Sequence, residues 1–499
     1  MAAGSVGYEF LRERLGLSAF EVTRPAVVKP VTRVQPEAQF LAIPSYVAPA
    51  SDDPLDHLLF ALKHEGTNLQ VIAQVLPHLP AERLLDSLRA APTGGYIRTV
   101  CSLWEALTGG RLDVTVDAGA TVDLFDPERY VVGPPTRDAR WRVNFNGLGS
   151  LRYCATVERT PAITKAMASG LLARVREFTN GLSPEILNRT LAWAYLHETE
   201  SSFAIERERP SANKAQDFVE LLHEAHAGAL MTEDRLVALQ QAVVKNPFDR
   251  AVQYRTEQNW LRGPLSGASG ITYIPPPPTM VAELMEELVA FANRAPQAID
   301  PIVAASVASF GFVYIHPFMD GNGRLSRYLF HQALCQSGEL EKGFLLPVSS
   351  AMARNQSAYL QTLRGYSAPA RQRWDVQMFD HENYAMSFNG DPSIYRFWDA
   401  TACVEFGFEM AQSALDVDLR GETVFLAQYD AVIRAVNEEF DVRGNTLAVL
   451  VLSCLQNEGI VSKNRRKQFG DQVPAGFFEF LEETVRAVKQ PDAENSPRL

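Results

Sequence analysis

The densest chemistry in the chain is one run of twelve residues, His316-Pro317-Phe318-Met319-Asp320-Gly321-Asn322-Gly323-Arg324-Leu325-Ser326-Arg327. Gly321-Asn322-Gly323 lets successive backbone N–H groups converge on one point, an arrangement that binds anions. Arg324 and Arg327 are three apart, so on a helix they share a face. Two guanidinium forks beside an anion nest suit a polyphosphate better than a single carboxylate. Asp320, at the edge of such a site, is placed to hold Mg²⁺, which keeps most of its waters and needs only one or two protein carboxylates. His316, four residues earlier, is the natural general base for an attacking hydroxyl. A lone histidine or a lone Gly-Asn-Gly would mean little; here all the parts coincide.

The flanking pattern says how these residues are held. An apolar helical run over 302–314 precedes the segment, and a second helix follows through Tyr328, Leu329, Phe330 and Leu334 and closes at Gly338. The segment is therefore a loop feeding a helix N-terminus, where unpaired N–H groups and the helix dipole both favour a phosphate.

Taken whole, His-x-Phe-x-Asp-Gly-Asn-Gly-Arg-x-x-Arg resembles the signature of the Fic domain proteins. The resemblance extends from about residue 185 to 385. Upstream, Tyr273-Ile274-Pro275-Pro276-Pro277-Pro278 is similar to the family's flap, a short hairpin over the target side chain. Downstream, Leu346-Pro347-Val348-Ser349 leads to a helix with Asn355, Tyr359 and Leu363, as in larger members. The resemblance implies transfer of AMP from ATP to a hydroxyl of a target protein, with Mg²⁺ as cofactor. His316 would be the base and Asp320 the Mg²⁺ ligand. Asn322 with the backbone of Gly321 and Gly323 would form the anion hole at the α-phosphate. Arg324 and Arg327 would hold the β- and γ-phosphates, and Phe318 would anchor the loop. Tyr273 and Ile274 would lie in the flap, which receives its target by strand addition.

Glu200-Ser201-Ser202-Phe203-Ala204-Ile205-Glu206-Arg207-Glu208 places Ser202 and Glu206 on one helix face. This resembles the family's inhibitory helix, Ser/Thr-x-x-x-Glu-Gly/Asn. The implied roles are inhibitory: Glu206 would pair with Arg327 and exclude the γ-phosphate. Arg207 departs from the pattern, which has Gly or Asn there.

The expected fold is mainly α: a Fic-type helical core with a short β-hairpin flap over 181–390, an N-terminal α(+β) region over 1–180, and a C-terminal helical, winged-helix-like region over 391–499. In the first region an amphipathic piece precedes a proline-punctuated extended run over 25–49, then helices to about 107. Residues 111–155, with turns at Asp117, Gly119 and Gly133-Pro134-Pro135, read as short strands or an irregular surface connection. Ser183 and Pro184 read as the cap and first residue of a helix. Helical patterns then run to about 385, broken at 267–278, and a polar tail at 491–499 reads as frayed.

Composition narrows the alternatives. Of 499 residues 46% are hydrophobic and 21% charged, enough for sizeable cores. The net charge of −12 argues against non-specific nucleic-acid binding through the overall field. A local basic cluster, Lys463, Arg465, Arg466 and Lys467, keeps open a nucleotide-responsive protein whose C-terminal module touches nucleic acid. Removal of AMP from a modified protein at the same site is a further alternative. Five dispersed cysteines read as free thiols, and no stretch reaches 18 apolar residues, so the expected location is the cytoplasm, without a membrane partner. A homodimer is compatible with all of this. His223-Glu224-Ala225-His226 spaces its histidines three apart, which does not fit the His-Glu-x-x-His zinc pattern.

Overall fold

The computed structural model describes residues 4–116, 119–244, 246–379 and 383–489. The expected turn at Asp117 and the expected frayed tail at 491–499 lie outside these.

The chain is mainly helical, with five small sheets at the edges of the helical body. At its centre is the helix Pro301–Ile315, of which every residue is buried. It is apolar all round, which only a helix enclosed on all sides can be. Asp300 starts it by accepting from the backbone N–H of Ile302 (2.9 Å) and Val303 (3.2 Å). Packed on it are Pro278–Arg294, Asn322–Gln336 and Thr401–Ser413. The helix Pro184–Ile205 lies across this group, with Ser183 capping it through Ile186 N–H and Pro184 in its first turn.

The extended run over 25–49 is paired into a small sheet. Ala26–Val28 and Leu41–Ile43 pair in parallel, with Ser5–Val6 and Gln35–Pro36 on the two edges. Pro54–His64, Leu69–Val75, Ala81–Ala90 and Gly95–Thr108 are helices around a core of their own. The expected short strands after residue 111 are Val122–Asp123, Thr136–Asp138, Val143–Phe145, Leu148–Gly149 and Cys154–Thr156. The last of these pairs in parallel with Phe397–Asp399, 243 residues later, in the register Phe397 to Cys154.

Two readings are corrected. Helix does not continue to 385: Trp374–Met378 and Tyr384–Phe388 form an antiparallel hairpin. Trp374, Val376, Tyr384, Met386 and Phe388 alternate along its strands and pack with Ile271 and Ile274. Period-two burial has overridden the helical neighbours. The C-terminal region carries no wing: the described residues after Thr401 are helical without a strand. Thr401–Ser413, the π-turn Ala414–Leu419 and Arg420–Glu439 run on as one long helix. Gly444–Gln456, Lys463–Phe469 and Phe477–Lys489 close on its far end around a separate core.

Candidate active site

The site forms where the helix Pro301–Ile315 ends and Asn322–Gln336 begins. His316 takes a left-handed conformation (φ 52°, ψ 59°), which stops the first helix and turns the chain. Phe318 is buried against Phe312 and Tyr254 and anchors the turn. Asn322 closes the loop from the other side: its Oδ1 accepts from Phe318 N–H (3.0 Å) and its Nδ2 donates to Phe318 O (2.7 Å). The side chain of Asn322 is thus spent on loop shape, and its main chain faces the helix N-terminus. Gly321, at φ 89°, supplies a conformation that a side chain would resist.

The half-buried ring of His316 lies with Nδ1 3.1 Å from the carbonyl oxygen of Val313. A carbonyl can only accept, so Nδ1 carries the proton and Nε2 keeps its lone pair. Burial, reinforced by the Arg255 guanidinium and opposed by the Val313 bond, pushes the imidazole pKa down to about 4. At neutral pH the ring is a neutral acceptor, the form a base requires.

Both arginines are almost wholly buried, and both already hold carboxylates. Arg327 Nη2 lies 2.9 Å from Glu206 Oε1, while its Nε donates to Ser202 Oγ (2.9 Å) and Nη2 to Ser202 O (2.6 Å). Arg324 Nη1 lies 2.9 Å from Glu208 Oε2, and Nη2 lies 3.2 Å from Asp320 Oδ1. The Arg324 guanidinium also sits 5.1 Å over the Phe203 ring. A Cβ on Gly323 would come within 2.0 Å of Glu206 Oε1. The Glu206 carboxylate therefore rests on the first turn of Asn322–Gln336, the position an anion would take.

Sequence reasoning missed Glu208. On a continuing helix it would lie well off the face of Glu206. The helix stops at Ile205, however, and Arg207 turns left-handed at φ 59°. Arg207 N–H bonds Ala204 O (2.9 Å) and Glu208 N–H bonds Phe203 O (3.0 Å), the paired bonds of a Schellman ending. That turn swings Glu208 back toward Arg324. It also gives the physical reason why Gly or Asn suits the position Arg207 occupies.

The same helix is pinned one face-turn earlier. Glu198, fully buried, lies 2.6 Å from His331 Nε2 and accepts from Ser349 N–H (2.8 Å) and from the Ser349 hydroxyl.

Asp320 is turned partly to solvent, as are Glu206 and Glu208. Both of its bonds, from Gly321 N–H (2.6 Å) and Arg324, fall on Oδ1, leaving Oδ2 outward. That arrangement fits a cation held by one protein carboxylate and completed by other oxygens. Among the described residues no group of three or more His, Cys, Asp or Glu is gathered for a metal. His223 instead stacks on Tyr195 at 3.9 Å, and a ring nitrogen of His226 meets Phe344 O.

The hairpin before Pro275 is present, Leu261–Arg262 against Ile271–Tyr273. Tyr273 and Ile274 are buried, with the Tyr273 hydroxyl donating to Tyr314 O. The exposed strand is Leu261–Arg262. An added strand would therefore meet residues the sequence reading had not singled out. In the C-terminal helix Lys463–Phe469, Arg466 lies 2.8 Å from both Glu479 and Glu482, so part of the basic cluster is used within the chain.

Residues 230–334 match the model of the Fic/DOC family. This stretch, which contains His316 to Arg327, is thus similar to the Fic/DOC family. It is 34% identical over 95 residues to "Probable protein adenylyltransferase aq_aa38" of Aquifex aeolicus (strain VF5), a stretch covering 19% of this chain and 27% of that one. Protein adenylyltransferase Fic of Drosophila mojavensis is 39% identical over 67 residues, 13% of each chain. The match thus spans about a quarter or less of these relatives. A solved Fic family protein from Desulfovibrio desulfuricans G20 superposes with a TM-score of 0.39 at 21% identity, over 62% of this chain and 87% of that one. Among the described residues no helix is long and apolar enough to cross a membrane.

Proposed function

We propose that the chain is a protein adenylyltransferase that moves AMP from ATP to a hydroxyl side chain of a target protein, and that Glu206 holds it in check. The observation that carries this reading is the buried Arg327 fork, occupied by Ser202 and the Glu206 carboxylate at a helix N-terminus shaped for phosphate. A guanidinium kept this deep is expensive without an anionic partner. Glu206 is that partner at rest, and a phosphate would replace it.

In the reaction, the target hydroxyl attacks the α-phosphorus in line with the departing pyrophosphate. His316 Nε2 takes the hydroxyl proton as the new O–P bond forms and the bond to the bridging oxygen breaks. The backbone around Gly321 and Gly323 would receive the developing charge on the α-phosphate, and Arg324 and Arg327 would hold the outer phosphates. Mg²⁺, held by Asp320, would neutralise charge on the phosphates. While Glu206 sits on Arg327, ATP can enter only with its γ-phosphate displaced and the α-phosphorus out of line.

The test is intact mass spectrometry after incubation with Mg²⁺ and ATP, on the wild-type chain and Glu206→Gly. Gain of one adenylate, larger in the variant, is expected. No gain on the chain, and no transfer of α-labelled phosphate to lysate proteins, would refute the reading.

A further inference from the structure

Arg255 is a buried cation, 6% exposed, with no carboxylate among its hydrogen-bond partners. It lies in the strap between the turn Pro247–Asp249 and the hairpin strand Leu261–Arg262. Its guanidinium donates to carbonyls only. Nε meets His316 O at 2.8 Å, Nη1 meets Glu257 O at 3.0 Å, and Nη2 meets Pro276 O at 2.7 Å and Ile315 O at 3.4 Å. Its own N–H donates to Pro317 O at 2.8 Å. Four residues on, Asn259 Nδ2 donates to Phe318 O at 2.9 Å.

These contacts have a specific geometry. The left-handed turn at His316 leaves the carbonyls of residues 316 and 317 to be partnered from outside the loop, while that of Phe318 is already shared with Asn322 Nδ2. The strap donates to all three. Two of the Arg255 bonds come from one planar fork: one holds the residue that carries the base, the other holds Pro276, where the flap hairpin leaves for the next helix. A rigid fork with both ends engaged fixes the separation of what it joins.

We propose that Arg255 is a positioning residue that sets the base at His316 against an acceptor held by the flap, a role that rests on the adenylyltransferase reading. A target hydroxyl presented along Leu261–Arg262 and a proton acceptor at His316 Nε2 must meet within hydrogen-bond reach, and this guanidinium is the shared support of both. Asn259 assists by holding the next carbonyl. The charge acts as well: the groups that face the imidazole are Arg255 from the strap, Glu206 from the end of Pro184–Ile205, and Asp320 from its own loop. Of these only Arg255 opposes protonation of the ring.

The test uses the full chain carrying Glu206→Gly, with Arg255→Met and Arg255→Lys added separately. Three quantities are read: the single-turnover rate of labelling from ATP tagged at the α-phosphate, ATP affinity by calorimetry, and the titration midpoint of His316 from isotope-labelled histidines assigned with His316→Ala. Methionine removes bridge and charge, so labelling should fall about tenfold or more with ATP affinity within about twofold, and the midpoint should move up. Lysine keeps the charge but cannot span both carbonyls, so the rate should fall while the midpoint stays. Should the methionine variant fail to fold by circular dichroism, lysine alone decides. Labelling at the parent rate with unchanged ATP affinity in the folded variants would overturn the proposal. If the Glu206→Gly parent itself does not label, the transfer reading fails first. The Arg255 role is then judged by the midpoint alone, and an unmoved midpoint in Arg255→Met overturns it too.

Discussion

At the scale of single residues, the proposed reaction assigns proton transfer and charge holding to different groups. His316 is neutral because burial disfavours its imidazolium, and it is oriented because Val313 O engages Nδ1. His316→Ala should therefore abolish transfer and leave ATP affinity within about twofold, since the ring acts in the transition state and holds no phosphate. Calorimetry beside a labelling assay checks both halves, and a loss of ATP affinity would count against the base role. The sign of the pH dependence follows from the same burial. With its pKa pushed down to about 4, the ring stays an acceptor as pH falls through the ordinary histidine value of about 6.5. In Glu206→Gly at saturating Mg²⁺, the transfer rate should stay flat from pH 8 to about 6 and be lost only nearer the lowered pKa. An acid limb centred near 6.5 would contradict it. Asp320→Ala should remove the Mg²⁺ dependence of activity, read in a metal titration, because its outward oxygen is the one placed for a cation. These residues were legible in the sequence because they fall within a dozen positions of one another and carry side chains with distinctive chemistry. Arg255 and Asn259 were not legible. Their partners are backbone carbonyls about sixty residues away, and a carbonyl leaves no mark on the residue that bears it.

At the scale of elements, the proposed inhibition depends on the way the helix Pro184–Ile205 ends. Glu206 is its last half-helical residue, and Glu208 reaches Arg324 only because Arg207 accepts a left-handed turn. For an arginine that turn costs on the order of 1 kcal/mol, which glycine would not incur. Arg207→Gly should firm the ending that carries both carboxylates and lower basal labelling, with no change in ATP affinity once Glu206 is also removed. Higher basal labelling in Arg207→Gly would mean the turn is not what seats the two acids. Glu206→Gly should raise transfer at least about tenfold, equivalent to roughly 1.4 kcal/mol of barrier. Adding Arg327→Ala should cancel that gain, because it depends on the freed guanidinium. Autoradiography with α-labelled ATP distinguishes these variants, and an unchanged signal in a folded Glu206→Gly would leave the helix only a structural role. The helix itself was readable from Ser183, Pro184 and its spacing. Its ending was not, since nothing local forces Arg207 into the left-handed region. The hairpin at 374–388 was misread for a related reason: its alternation is meaningful only once Ile271 and Ile274 are there to pack against.

At the scale of the whole molecule, the core that carries the site extends beyond the span 181–390 expected for the central domain. One apolar cluster runs from Val131 to Leu419 and includes Leu148, Tyr153, Ala155 and Val157 on one side and Ile394, Trp398, Val404, Phe406 and Met410 on the other. The parallel pairing of Cys154–Thr156 with Phe397–Asp399 ties the two flanks together beneath the helix Pro301–Ile315. The C-terminal helices, by contrast, close around their own cluster from Val432 to Val485. A buried side chain of this kind contributes about 1.5–3 kcal/mol relative to exposure. A fragment without the nine core residues just named forfeits burial of about 14–27 kcal/mol, at or above the roughly 5–15 kcal/mol that separates folded from unfolded in an ordinary domain. A fragment of residues 181–390 should therefore lack a cooperative thermal transition by circular dichroism and bind a hydrophobic dye. A fragment of residues 120–419, which keeps the cluster whole, should melt cooperatively. It should also label faster than the full chain, because it loses Asp430, whose carboxylate lies 2.7 Å from Arg189 near the start of the inhibitory helix. A half-buried surface pair of this kind contributes about 1 kcal/mol, so the increase should stay within about fivefold. Cooperative melting of the 181–390 fragment would show instead that the flanking strands and helices are dispensable, and that the central helices alone hold the site.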